Sequence, residues 1–131
     1  MVLDLLSDML TRINNGYKAK LAHTYVLRSK QNLIILGLLL RLGYISSYGV
    51  VNTKLLKVGL VYYRSQPAIR KLTRISKAKN RIYLKNKELH NRSGLAFSQN
   101  GFLILSTTSG IMTDVEALSL GIGGEVLFQV V

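Results

Sequence analysis

Leu5, Leu6, Met9, Leu10 and Ile13 recur at the spacing of one face of a helix, with Asp4 placed to cap its start and Gly16 to end it. The opposite stripe carries Asp8, Thr11, Arg12, Asn14 and Asn15. Residues 23–27 predict a short strand. Ser29 then opens a second helix over 30–42, which Gly43 terminates. Its middle, from Leu33 to Leu40, is apolar on every side, so burial on most faces is expected. Strands are predicted over 44–51 and 55–63, joined around Asn52-Thr53, a dipeptide that lacks the strong Asn-Gly hairpin signal. After Pro67 the pattern thins. Residues 69–76 and 81–84 read as strands, 85–100 as mostly loop, 101–106 as an apolar strand, 113–120 as a two-turn helix and 125–131 as a closing strand. The helix starts at Thr113-Asp114-Val115-Glu116, a capping box. The predicted class is α+β in two small lobes: αβαββ over 1–65, and a mainly β lobe with one short helix over 66–131.

Charge changes this picture more than composition does. The chain has 131 residues, and its hydrophobic content of 48% suffices for a core. Eighteen Lys and Arg against six Asp and Glu give a net charge of +12, which calls for a polyanionic partner, nucleic acid first and an anionic membrane surface second. Ten of those cations fall in residues 64–92, with Glu88 the one acid there, and none follows Arg92. The basic stretch can attract phosphate, with Tyr83 interleaved for stacking, while the C-terminal part keeps hydroxyls, glycines and a glutamate for recognition. No cysteine is present, so disulfides, thiolate metal sites and a cysteine nucleophile are excluded. The N-terminus has neither a secretory leader nor an Arg/Ser-rich presequence, and the apolar run from Leu33 is far shorter than the roughly 20 residues that cross a bilayer.

Candidate chemistry concentrates near the C-terminus. Ser106, Thr107, Thr108 and Ser109 supply four hydroxyls on a turn, and Gly110 allows close approach. Short donors and acceptors suit the wide, shallow minor groove of A-form RNA, where 2′-hydroxyls and base edges are displayed. Glu125 can accept from a 2′-hydroxyl or a guanine amino group if cations nearby keep the site electrically tolerable. The alternative, a Ser/Thr turn that satisfies its own backbone, stays open on these residues alone. Gly121-Ile122-Gly123-Gly124 is no phosphate loop, since no Lys-Ser/Thr follows and a strand comes next. His23 and His90 lack partners at ligand spacing, and Asp4 and Asp8 offset the helix dipole more simply than they form a catalytic pair. No catalytic residue, metal ligand, cofactor or small-molecule substrate is read, and the expectation is a protein that is not an enzyme.

The run Ser7-Asp8-Met9-Leu10-Thr11-Arg12-Ile13-Asn14-Asn15-Gly16 resembles the first helix of the S-eight family, the eighth protein of the small ribosomal subunit. Ser106-Thr107-Thr108-Ser109-Gly110-Ile111-Met112-Thr113-Asp114, with Gly121 and Gly123-Gly124-Glu125, resembles its C-terminal signature. Ser29-Lys30, Leu42-Gly43-Tyr44-Ile45, Ile75-Ser76-Lys77 and Arg81-Ile82-Tyr83 fall in the family's order, so the resemblance spans nearly the whole chain. Departures include Ser109 where a Lys is usual and Ala78-Lys79 where Pro-Gly is usual. The resemblance implies a structural protein that binds the central domain of small-subunit ribosomal RNA, supports assembly, and touches neighbouring small-subunit proteins. It implies RNA contacts at Ser106, Thr107, Thr108, Ser109, Gly110, Glu125, Tyr83, Arg81, Lys77, Lys79 and Arg74, with Thr11, Arg12, Asn15, Ser29 and Lys30 adding to them. The family drift, together with heavy use of Leu, Ile, Lys, Asn and Tyr, favours a mitochondrial ribosome in the matrix over a plastid or bacterial cytoplasmic one. A basic protein lying on an anionic membrane is the competing function. It would need an exposed amphipathic cationic helix, which neither N-terminal helix offers.

Overall fold

The computed structural model describes residues 4–93 and 101–131. Helices and antiparallel sheets are segregated as expected of an α+β protein, in two compact units, one ending at Arg70 and one beginning at Lys71.

The first unit runs α1 (Leu5–Lys18), β1 (His23–Leu27), α2 (Lys30–Arg41), β2 (Ile45–Val50) and β3 (Leu55–Leu60). Asp4 caps α1 by accepting from the Ser7 amide at 3.1 Å. Gly16 does not end the helix. A Cβ there would lie 2.9 Å from Leu60 Cδ1 and 3.3 Å from Thr24 Cβ, so the glycine allows α1 to press onto the sheet. The chain turns instead at Lys20, φ 57, whose amide and that of Leu21 close the last turn on Tyr17 and Gly16 carbonyls. Helix α2 starts at the Ser29 cap and ends at Gly43, φ 83, as its sequence predicts. Its burial is less complete than an all-apolar helix suggests. Ile35, Leu36, Leu38 and Leu39 enter the core, while Ile34 and Leu40 stay exposed.

The sheet order β1-β3-β2 is antiparallel throughout. Asn52 makes the β2–β3 turn work without glycine, its Oδ1 accepting from the amides of Lys54 and Leu55 at 2.8 and 2.9 Å. Tyr17 is buried; its hydroxyl donates to the Tyr44 carbonyl at 2.7 Å and accepts from the Val61 amide at 3.2 Å. Burial raises its pKa above the ordinary value, outweighing the opposing amide bond.

A hairpin of β4 (Tyr62–Tyr63) and β5 (Gln66–Pro67) completes this unit. Its two corner residues, Arg64 and Ser65, have φ of 52 and 65, the mirror-image turn normally given to Asn-Gly. A side chain in that region costs about 1 kcal/mol, so Ser65→Gly is expected to raise stability by about 0.5 to 1 kcal/mol. Urea denaturation would show this as a higher midpoint with an unchanged slope.

The second unit runs β6 (Leu72–Arg74), β7 (Tyr83–Leu84), α3 (Asn86–Ser93), β8 (Phe102–Thr107), β9 (Gly110–Thr113), α4 (Asp114–Leu120) and β10 (Gly124–Val130). Its sheet order is β6-β10-β8-β9, with β7 paired to the end of β10. On one face Leu89, Leu103, Leu105, Met112, Ala117 and Val126 form a closed apolar cluster that seats α3 and α4. Helix α3 lies where a loop is predicted. Leu89, fully buried, anchors it, Glu88 Oε1 accepts from the Lys85 amide at 3.1 Å, and Asn86 Nδ2 donates to the Ile122 carbonyl at 3.1 Å. The part of that predicted loop over 94–100 lies outside the described residues. Strand β9 has no counterpart in the predicted elements.

Candidate nucleic-acid interface

Alternation along β8 and β10 decides what the second unit presents. Leu105 pairs Val126, both in the apolar cluster, so the next pair, Ser106 and Glu125, projects from the opposite face. Glu125 is also opposite Tyr83, and Ser106 opposite Ile111. Ile111, Ser106, Glu125 and Tyr83 therefore form one row across four strands. Two glycines let the strands close this tightly. A Cβ on Gly124 would lie 2.3 Å from the Ser106 carbonyl oxygen, and one on Gly123 would lie 2.2 Å from the Leu84 carbonyl oxygen.

Within the row, Arg81 Nη1 lies 3.4 Å from Glu125 Oε1, with the arginine side chain 59% exposed and the glutamate 15%. The carboxylate is thus partly desolvated beside a wet guanidinium, the condition under which an acid is tolerated against RNA. The neighbouring Tyr83 ring is 63% exposed and available for stacking.

The hydroxyl turn is a two-residue hairpin tip. Thr107 pairs Gly110, and Gly110 takes φ 112. Thr107 Oγ1 donates to the Gly110 carbonyl at 2.7 Å and accepts from the Ser109 amide at 3.1 Å, so this hydroxyl braces the tip. Thr108 and Ser109 remain exposed at the tip, and Ser106 lies half-buried beside Glu125.

The basic segment is also built on local hydrogen bonds. Lys77 and Asn80 exchange backbone hydrogen bonds at 3.0 Å, making a tight turn that presents exposed Lys77 and Lys79. Buried Ser76 holds its base: the hydroxyl donates to the Ile82 carbonyl at 3.2 Å and accepts from the Ile82 amide at 2.8 Å. Sequence reading gives this serine no role. Its only signals are its place in the Ile75-Ser76-Lys77 segment and a lone hydroxyl at the end of a predicted strand. Arg74 differs from the lysines, being half-buried with Nε donating to the Ser76 carbonyl.

The remaining candidates belong to the first unit. Arg12 Nε lies 2.8 Å from Asp8 Oδ2, and Nη1 donates to the Tyr25 carbonyl at 3.3 Å, which fixes the guanidinium over β1. Thr11 and Asn15 are exposed on the same helix. Ser29 Oγ accepts from the Asn32 amide at 3.0 Å as a helix cap, with Lys30 exposed beside it. Among the described residues no group of His, Cys, Asp and Glu is placed to hold a metal ion, and no helix is long and apolar enough to cross a membrane.

The family model described as Ribosomal protein S8 matches residues 4–131. Similar relatives include a small ribosomal subunit protein uS8 of Vesicomyosocius okutanii, 40% identical over 97% of this chain and 96% of its own. A protein named small ribosomal subunit protein uS8m from Acanthamoeba castellanii is 38% identical over 98% and 99%, and uS8 of Rhodospirillum centenum is 39% identical over 97% and 96%. With the match running from the α1 cap to the last residue, the chain belongs to the ribosomal protein S8 family.

Proposed function

We propose that this protein is a structural constituent of the small ribosomal subunit, where it binds the central domain of the ribosomal RNA and supports its assembly. A member of a ribosomal protein family is not an enzyme. The observation that carries the reading is the row in which Ser106, Glu125 and Tyr83 lie side by side, flanked by the exposed Thr108-Ser109 tip. Hydroxyls and a buffered carboxylate match 2′-hydroxyls and base edges in a shallow minor groove, and an exposed ring matches an unstacked base. Lys77, Lys79 and Arg81 sit on the adjoining turn, where they add phosphate attraction through counterion release. The C-terminal lobe is thus the RNA-binding lobe in this proposal, with neighbouring small-subunit proteins as further partners. The uS8m relative supports a mitochondrial ribosome, and equally similar bacterial relatives support a bacterial one.

Two kinds of variant test the division of labour. Thr108→Ala with Ser109→Ala should weaken binding to cognate ribosomal RNA by roughly 1 to 3 kcal/mol and leave the salt dependence unchanged, while Lys77→Ala or Lys79→Ala should each lower the salt slope by about 1. A filter-binding salt titration reads both. If the two classes gave the same slopes, the separation of attraction from recognition would fail.

A further inference from the structure

The first unit has a second surface suited to RNA. In its sheet, Val26 pairs Leu56, both buried, so the neighbouring row of Tyr25, Lys57 and Gly49 faces the other way. His23, opposite Gly59, lies on that same outer face. Two grooves meet at His23: one is lined by Arg12, Asn15 and Tyr25 among others, the second by Gly49 and Lys57 among others. The floor is open at Gly49, where an added Cβ would touch nothing within 4 Å. Tyr25 is 45% exposed although it sits mid-strand. Neither groove has a carboxylate in its lining, and the nearby acid Asp8 is already paired to Arg12.

We propose that this outer sheet face binds an unpaired stretch of RNA, one base stacking on Tyr25 and the adjoining phosphate lying at Lys57. An exposed ring next to a cation, on a flat floor free of acids, is the arrangement by which sheets hold single strands: every base has a face to stack, and the backbone follows the charge. Arg12, held by Asp8 and the Tyr25 carbonyl and so largely neutralised, borders the far groove and leaves Lys57 as the phosphate contact. A rigid duplex could not lay a base flat on Tyr25, so the surface selects unpaired nucleotides. The inference rests on reading the protein as an RNA binder and adds a site and a substrate conformation to it.

The test uses the full chain, a fluorescein-labelled single-stranded uridine octamer and, separately, total small-subunit ribosomal RNA. Tyr25→Leu, which keeps an apolar exposed side chain without a ring, should weaken octamer binding about tenfold. Lys57→Gln should lower the octamer's salt slope by about 0.7. Neither should alter the thermal midpoint or the binding of a fully paired RNA duplex. Photocrosslinking from 5-iodouridine octamer should map to the peptide holding His23 and Tyr25. Wild-type octamer binding by both variants, no binding by the wild type, or crosslinks confined to the second unit would overturn the inference. Failure of the wider reading would show differently, as wild-type protein that does not retain the ribosomal RNA.

Discussion

Gly124→Ala is expected to cost about 3 kcal/mol of stability, at the upper end of ordinary overpacking, and to abolish selective RNA binding. The contact responsible is backbone against backbone. The new Cβ would lie 2.3 Å from the Ser106 carbonyl oxygen and 3.0 Å from its carbonyl carbon, and neither atom can rotate aside as a flexible side chain could. Relief requires β10 to move away from β8, which breaks the pairing of Glu125 with Ser106. Tyr83 and Arg81 lie on the other side of β10, so Glu125 would keep them but lose Ser106 and the hydroxyl tip, which splits the row. Counterion release at Lys77 and Lys79 does not depend on that register, so weak, salt-sensitive binding to any RNA should persist. Circular dichroism melts and competition between cognate and non-cognate RNA would separate the two losses. Gly110→Ala makes a useful contrast. Unlike Gly124 it takes a positive φ, 112, and a Cβ there meets nothing within 4 Å, so its cost should be confined to local backbone strain.

What could be read from the sequence follows the range of each interaction. The caps of Asp4, Ser29 and Thr113 are contacts over three residues, and each was legible because side chain and target amide lie in one window. Helix α3 was hidden for the converse reason. Leu89 is its one deeply buried apolar residue with Leu84 before it in β7, so no periodicity announces it, and its Asn86 anchor reaches Ile122. Gly16 misled because glycine both ends helices and allows close packing, and the deciding neighbours, Leu60 and Thr24, come from other elements. Strand β9 is four residues with Ile111 and Met112 between a glycine and a helix cap, too short for alternation to show.

The candidate site divides the same way. Hydroxyls on a turn with a following glycine are visible as text, yet only the folded hairpin shows that Thr107 spends its hydroxyl on internal bonds. The meeting of Glu125 with Ser106 and Tyr83 depends on strand register. Arg81 and Glu125 are 44 residues apart, so only the closed sheet brings them together. Ser76 shows that chemistry near a binding loop can be wholly structural: its hydroxyl satisfies both the amide and the carbonyl of Ile82, and in doing so fixes the ends of the Lys77–Asn80 turn.

Leu105→Ala is expected to cost roughly 2 to 5 kcal/mol, the largest stability loss among these variants, because it removes a fully buried side chain at the centre of the second unit's cluster. Domains of this size hold only about 5 to 15 kcal/mol in total, so a sizeable unfolded fraction should appear near physiological temperature. Leu105→Met, which nearly conserves volume, should cost under about 1.5 kcal/mol. The functional outcome should nevertheless be the reverse of that for Gly124→Ala. Leu105 points into the cluster, and its neighbour Ser106 keeps its pairing with Glu125, so molecules that remain folded retain the recognition row. Cognate RNA bound only by the folded form adds about 2.7 kcal/mol at a hundredfold excess over Kd. Saturating RNA should therefore restore most of the melting temperature of Leu105→Ala and little of that of Gly124→Ala. Equal rescue of the two would mean that the RNA is not read by the Ser106–Glu125 row.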